Sequence, residues 1–189
     1  MSPMVAELLP ERLAPLLAEG LPPAVAARLL SDARLGPRAR AFAAGVLGDV
    51  AAAIEALTPG ERLLAEAPGR ALSEAATLAG AVWHAPRVRG LLLAKEVAAF
   101  AAALAEAARR AALRHGALAP GGIAVPRDLE AAIREDGAAC LTAWLDSLPR
   151  PLAARLRLRL PLSAEGVPEA LHRAHGPAIL RAVAAEVVA

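Results

Sequence analysis

Apolar positions in this 189-residue chain recur at spacings of three and four, and proline and glycine cut the pattern into short lengths. A first helix is expected over residues 3–18, closed by Gly20 and the Pro22–Pro23 pair. Pro23 opens a second helix carrying Val25, Leu29 and Leu30. After Gly36–Pro37, the residues Phe42, Val46, Val50, Ile54 and Leu57 read as one stripe, weakened locally by Gly45 and Gly48. Thr58-Pro59-Gly60-Glu61 is a helix start, with Thr as N-cap, Pro at the first position and Glu at the third. Pro68–Gly69 closes that helix early.

The middle is the most regular part. Residues 70–85 place Leu72, Ala76, Ala79 and Trp83 on one face, and Pro86 predicts a sharp joint. A long helix then runs to His115, with Leu93, Val97, Phe100, Leu104, Ala108 and Ala111 as a core-facing seam. Its small residues let a neighbouring helix approach closely. Residues 117–126, containing Pro120-Gly121-Gly122, form a loop and the candidate subdomain boundary. Beyond it Asp128 caps a short helix, Asp136–Gly137 marks a turn, and Cys140, Leu141, Trp144, Leu145 and Leu148 share an apolar helical face. Leu156-Arg157-Leu158-Arg159-Leu160 alternates strictly, which leaves strand and helix both open. Two Pro-started helices, 168–174 and 177–188, finish the chain.

Composition narrows the fold class. Hydrophobic residues make up 57% of the chain but aromatics only 2%, so Ala and Leu supply most of the core. Both are strong helix formers, and Ala is depleted in strands. The expected architecture is all-α: a compact single-domain bundle over residues 1–189, with a central helical hairpin and a smaller C-terminal helical block.

The mean hydropathy of +0.44 suggests a membrane protein, but the longest uninterrupted apolar run, Val97–Ala105, lies between Glu96 and Glu106. That is far short of the roughly 20 residues a spanning helix needs. Residues 1–20 have no basic start and are interrupted by Glu7, Glu11 and Glu19, so a secretory leader is not expected. The single Cys140 excludes an internal disulfide and fits a reducing compartment. The expected location is the cytoplasm. The isoelectric point near 9.4 overstates the charge, since the net charge is only +2 and Lys95 is the one lysine among 21 cations. Arginines stay protonated far above neutral pH and raise the isoelectric point without a matching excess of cations.

Candidate chemistry is sparse. His172 and His175 share a helical face but lack further ligands at a zinc spacing, and His175 before Gly176–Pro177 reads as a cation at a helix C-terminus. His115 before Gly116 reads the same way, and His84 near Pro86 reads as a buried histidine bonded to backbone. Cys140 lies on an apolar face, as a small buried hydrophobe does. No G-x-S-x-G elbow, phosphate loop or paired-carboxylate site is present, so neither an enzyme activity nor a metal or other cofactor is expected. Arginines occur in the central helices and again at Arg150, Arg155, Arg157 and Arg159, but exposed aromatics for stacking on nucleic acid are lacking, so no nucleic-acid partner is expected.

Two segments carry a family resemblance. Residues 71–113, with Ala79-Gly80-Ala81-Val82-Trp83-His84-Ala85-Pro86-Arg87-Val88-Arg89 running into Leu91–Leu113, resemble the central helical hairpin of the SctK (YscK-like) proteins. Residues 137–161, with Cys140-Leu141, Trp144-Leu145, Pro149 and Leu156–Pro161, resemble their C-terminal block. The resemblance implies a non-catalytic cytoplasmic adaptor of a bacterial type III secretion system. Such an adaptor joins the cytoplasmic domain of the inner-membrane ring protein, SctD, to the sorting platform and its SctQ pods. It would sit at the cytoplasmic face of the inner membrane through its partners, without inserting. The arginine groups Arg87 and Arg89 at the joint, and Arg155, Arg157 and Arg159 before Pro161, are the candidate partner-binding residues. Another helical scaffold or peripheral component of a secretion or motor complex, and a helical DNA-associated regulator, are the competing readings.

Overall fold

Eleven helices appear where punctuation and periodicity permit them in the computed structural model, which describes residues 8–19, 21–48 and 50–188. They are α1 (Pro10–Leu17), α2 (Pro23–Ser31), α3 (Leu35–Leu47), α4 (Ala51–Glu55), α5 (Pro59–Glu66), α6 (Gly69–Trp83), α7 (Ala85–Arg89), α8 (Ala94–His115), α9 (Leu129–Ser147), α10 (Arg150–Arg157) and α11 (Ala170–Val188). Helix, counting the short 3-10 turns, accounts for 76% of the described residues, and no strand occurs among them. The all-α expectation therefore holds. The Leu-Arg alternation is no strand: its first two residues end α10, and residues 158–160 are turn and bend. The start of the first expected helix lies outside the described residues.

Helix α6 is the hub. Leu72, Ala75, Leu78, Ala79, Ala81 and Val82 are all buried, so it is enclosed on more than one side. It packs against α8, α9 and α11, and the buried cluster reaches from Val50 to Ala184. Helices α6 and α9 cross at close range. A methyl group on Gly80 would fall on the Ile133 carbonyl, and one on Gly137 would fall on the Ala76 carbonyl. Two glycines facing backbone thus let two helices touch main chain to main chain. Helices α1–α3 pack on one another and join the rest through α10. There Leu9 donates its N–H to the Leu158 carbonyl at 2.9 Å.

Tertiary structure corrects several local expectations. Asp136–Gly137 is no turn: it lies inside the 19-residue α9, because Gly137 serves the α6 crossing. Asp128 does cap that helix, accepting from the Ala131 N–H at 3.0 Å. Pro168–Val188 is not a pair of helices, since α11 continues through Pro177. The stripe from Phe42 to Leu57 is broken at Gly48, whose φ of 74° turns the chain in a region where a Cβ is disfavoured. Phe42 and Val46 are consequently half exposed while Val50 is buried. The joint at Pro86 is also longer than expected. Helix α7 occupies one turn, Gly90–Leu93 is non-helical, and Leu93 is the N-cap residue of α8 rather than part of its seam. Within α8, Ala105 has φ 68° and ψ 153°, which breaks the helix between Leu104 and Ala108, both buried.

Candidate interaction surfaces

The five arginines singled out in the sequence serve different places. Arg159, only 4% exposed, donates to the Ala67 carbonyl at 2.6 Å and the Ala65 carbonyl at 2.8 Å. A fixed guanidinium thereby satisfies carbonyls at the C-terminus of α5, where the helix dipole also favours a cation. Arg155 performs the same task for α3, donating to the Gly48 carbonyl at 2.7 Å and the Ala44 carbonyl at 3.4 Å. Arg157 pairs with Asp146 at 2.7 Å and Glu165 at 3.3 Å. Arg12 meets the same Glu165 and donates to the Leu160 carbonyl at 3.1 Å. Arg155, Arg157 and Arg159, together with Arg12, therefore hold α1, α3, α5 and residues 161–165 together. The alternation itself cannot reveal this, because their acceptors are mostly main-chain oxygens far away in sequence.

Arg87 and Arg89 behave differently. Both are exposed on α7. Arg89 donates to the Leu113 carbonyl at 3.2 Å, laying its side chain over the last turn of α8 beside Gly116. Arg87 has no hydrogen-bond or ion-pair partner among the described residues, so its charge faces outward.

Two buried polar clusters escaped the sequence reading. In the first, Asp136 bridges two histidines: its Oδ2 lies 2.6 Å from His84 Nε2 and its Oδ1 lies 3.0 Å from His172 Nε2. His172 Nδ1 accepts the Glu169 N–H at 3.2 Å, so Nε2 carries the proton it donates to Asp136. Trp83 stacks on the His172 ring at 4.3 Å, with His175 edge-on at 6.4 Å. Burial pushes the Asp136 carboxyl up, but the hydrogen bonds from His84 and His172 outweigh it and hold the group below the usual carboxylate range. The cluster ties the end of α6 to α9 and α11. His84 is buried as expected, but its partner is a carboxylate rather than backbone, and His175 lies inside α11 rather than at a helix C-terminus. His115 does end α8, and its ring meets Glu186 at 2.7 Å. Among the described residues no group of three or more His, Cys, Asp or Glu side chains is arranged to hold a metal ion.

The second cluster centres on Glu61. The capping box forms as the sequence predicts, with the Thr58 N–H and hydroxyl donating to Oε2 at 3.1 and 2.7 Å. The other oxygen, Oε1, accepts from Arg181 Nε at 2.8 Å and from Trp144 Nε1 at 3.4 Å. One carboxylate therefore caps α5 and fastens it to α9 and α11. Burial raises the Glu61 carboxyl, and the bonds from Thr58 and Arg181 together bring it below its ordinary value.

What reaches the outside is apolar and cationic. Leu92 is 85% exposed, Val125 62% and Leu93 53%, all near the α7–α8 joint. A separate apolar face on α3 presents Leu35, Phe42 and Val46. No helix among the described residues is long and apolar enough to cross a membrane.

Polar groups inside the molecule thus join helices, while apolar and arginine-bearing surfaces lie outside. Residues 51–187 match the family described as YOP proteins translocation protein K (YscK). The match spans α4 to α11, and the chain belongs to the YscK family, whose members are components of type III secretion. It is also 37% identical over 90 residues to nodulation protein NolU of Rhizobium fredii and of Sinorhizobium fredii (strain NBRC 101917 / NGR234). That alignment covers 47% of this chain and 42% of either relative, so the chain spans under half the length of the curated relatives it matches. No solved structure matches the chain.

Proposed function

We propose that this chain is a cytoplasmic adaptor of a bacterial type III secretion system. It holds the cytoplasmic domain of the inner-membrane ring protein, SctD, and the SctQ pods of the sorting platform at the same time, with no catalysis and no cofactor. Membership of the YscK family over residues 51–187 is the observation that carries this reading. Two features support it. Polar residues resembling chemical groups, the His84–Asp136–His172 cluster and Glu61, are spent on joining helices. Two apolar exposed faces, on α3 and at the α7–α8 joint, sit on different elements, as simultaneous contact with two partners requires. Localisation at the cytoplasmic face of the inner membrane follows from the ring protein. Of the arginines, Arg87 is placed to meet a partner directly, and Arg155, Arg157 and Arg159 act by shaping the surface above them.

Size-exclusion chromatography of the three purified components tests the proposal. A ternary complex should elute only when this chain is present. Direct association of the ring domain with SctQ, or failure of the chain to bind either at micromolar concentration, would refute the adaptor role.

A further inference from the structure

We propose that the cleft at the α7–α8 joint receives an acidic protein segment bearing apolar anchors. The inference rests on the adaptor reading and names the chemistry of one of its two partners. Two adjoining hollows, of about 280 and 240 Å³, share Pro86 and Arg87 as their common wall. Trp83, His84 and the Gly121–Ile123 stretch line the first, while Leu91, Pro126 and Leu129 line the second. Leu92, Leu93 and Val125 stand beside them with more than half their surface in solvent. Apolar side chains next to concave pockets suit a protruding anchor better than a flat surface.

Charge selects the kind of segment. Arg87, Lys95 and Arg127 are exposed and have no ion-pair partner among the described residues. Fewer carboxylates stand nearby, and one of them, Glu96, lines the second hollow itself. Glu96 accepts the Leu93 N–H at 3.4 Å, Asp128 caps α9, and Glu130 pairs with Arg134 at 2.7 Å. Beneath the first hollow, Asp136 is held by His84 and His172. The cleft therefore presents an excess of cations around apolar contacts, with Arg87, Lys95 and Arg127 set against Glu96 and Asp128, and a partner's carboxylates add the remaining counter-charge. Single-stranded nucleic acid is less well matched, because Trp83 is buried under His172 and offers no face for stacking.

Affinities of the full chain for the ring protein's cytoplasmic domain and for SctQ, measured at low and high salt, test this. Variants Leu92→Asp and Arg87→Glu/Lys95→Glu are compared with Arg110→Glu, an exposed control further along α8. The joint variants should weaken one partner tenfold or more and leave the other within twofold. Their melting curves should match wild type, Arg87→Lys should retain most of the binding, and added salt should weaken only the sensitive partner. If wild type binds both partners and no joint variant matters, the cleft is wrong while the adaptor role stands. If wild type binds neither, both proposals fail. Phosphatidylglycerol vesicles binding wild type but not the joint variants, with both proteins unaffected, would make the cleft a membrane contact and overturn the inference.

Discussion

The backbone-to-backbone crossing of α6 and α9 makes the same substitution act in opposite directions at two sites. A Cβ at Gly80 would lie on the Ile133 carbonyl oxygen, 2.8 Å from its carbon and 3.1 Å from the Gly137 nitrogen. Ordinary Cβ contacts begin near 3.4 Å. The opposing atoms are main chain in a buried helix, so no side chain can swing aside. Gly80→Ala must instead part the helices by roughly 1 Å, a gap that forfeits about a quarter to a half of the dispersion across it. Overpacking of this kind costs typically about 1–3 kcal/mol, occasionally more, and replacing a helical Gly by Ala returns up to about 1 kcal/mol. With rigid backbone on the far side the upper range applies, for a net loss of about 2–3 kcal/mol. In a chain of this length that lowers Tm by roughly 4–12 °C. Gly45 in α3 is the matched control, since a Cβ there meets nothing within 4 Å. Gly45→Ala should raise stability by about 0.5–1 kcal/mol through helix propensity alone. Gly80→Ala/Gly137→Ala should cost less than the sum of its singles, because the first methyl already opens the crossing. Urea denaturation followed by circular dichroism at 222 nm reads all four variants. Gly80→Ala as stable as wild type, or Gly45→Ala clearly less stable, would refute the reasoning.

Further tests address the polar clusters and the break in α8. Arg159→Met should destabilise by about 2–3 kcal/mol by stripping the α5 carbonyls of a charged donor, whereas Arg87→Glu should leave the melting curve unchanged. Glu61 and Asp136 both have folded pKa values lowered relative to the unfolded chain. Their contribution is complete above the ordinary carboxylate range and is lost as pH falls through the folded values. Acid titration of Tm should therefore show a decline that Glu61→Gln and Asp136→Asn each reduce. Ala105→Gly should gain up to about 1 kcal/mol in the same denaturation assay, since φ 68° strains an L-residue and glycine accepts it. Cys140 is fully buried and its thiol is pushed upward, by burial first and by Asp136 second. It should react with Ellman's reagent far more slowly in the native chain than in urea.

Local chemistry was legible wherever a motif closes within a few residues. Thr58 and Glu61 form their capping box, Asp128 caps α9, Pro23 and Pro59 open helices, and Leu72, Ala79 and Trp83 point inward together. Ala and Leu in a 3.6-residue rhythm were enough for the all-α class, because that pattern can be buried only as helix against helix. Punctuation misled where a distant surface overrode it. Gly137 reads as part of a turn and Pro177 as a helix start, yet both lie inside helices, as Gly137 meets the backbone of α6 and α11 continues past its proline. Charge misled in the same way. Arg155, Arg157 and Arg159 look alike in sequence, but their acceptors sit at Gly48, Asp146 and Ala67. Asp136, His84 and His172 become neighbours only when α6, α9 and α11 meet. Helix formation is governed by neighbours three and four residues away, so a sequence displays it. Which cation faces a partner, and which is consumed by a carbonyl a hundred residues distant, depends on long-range packing, and only the assembled bundle decides it.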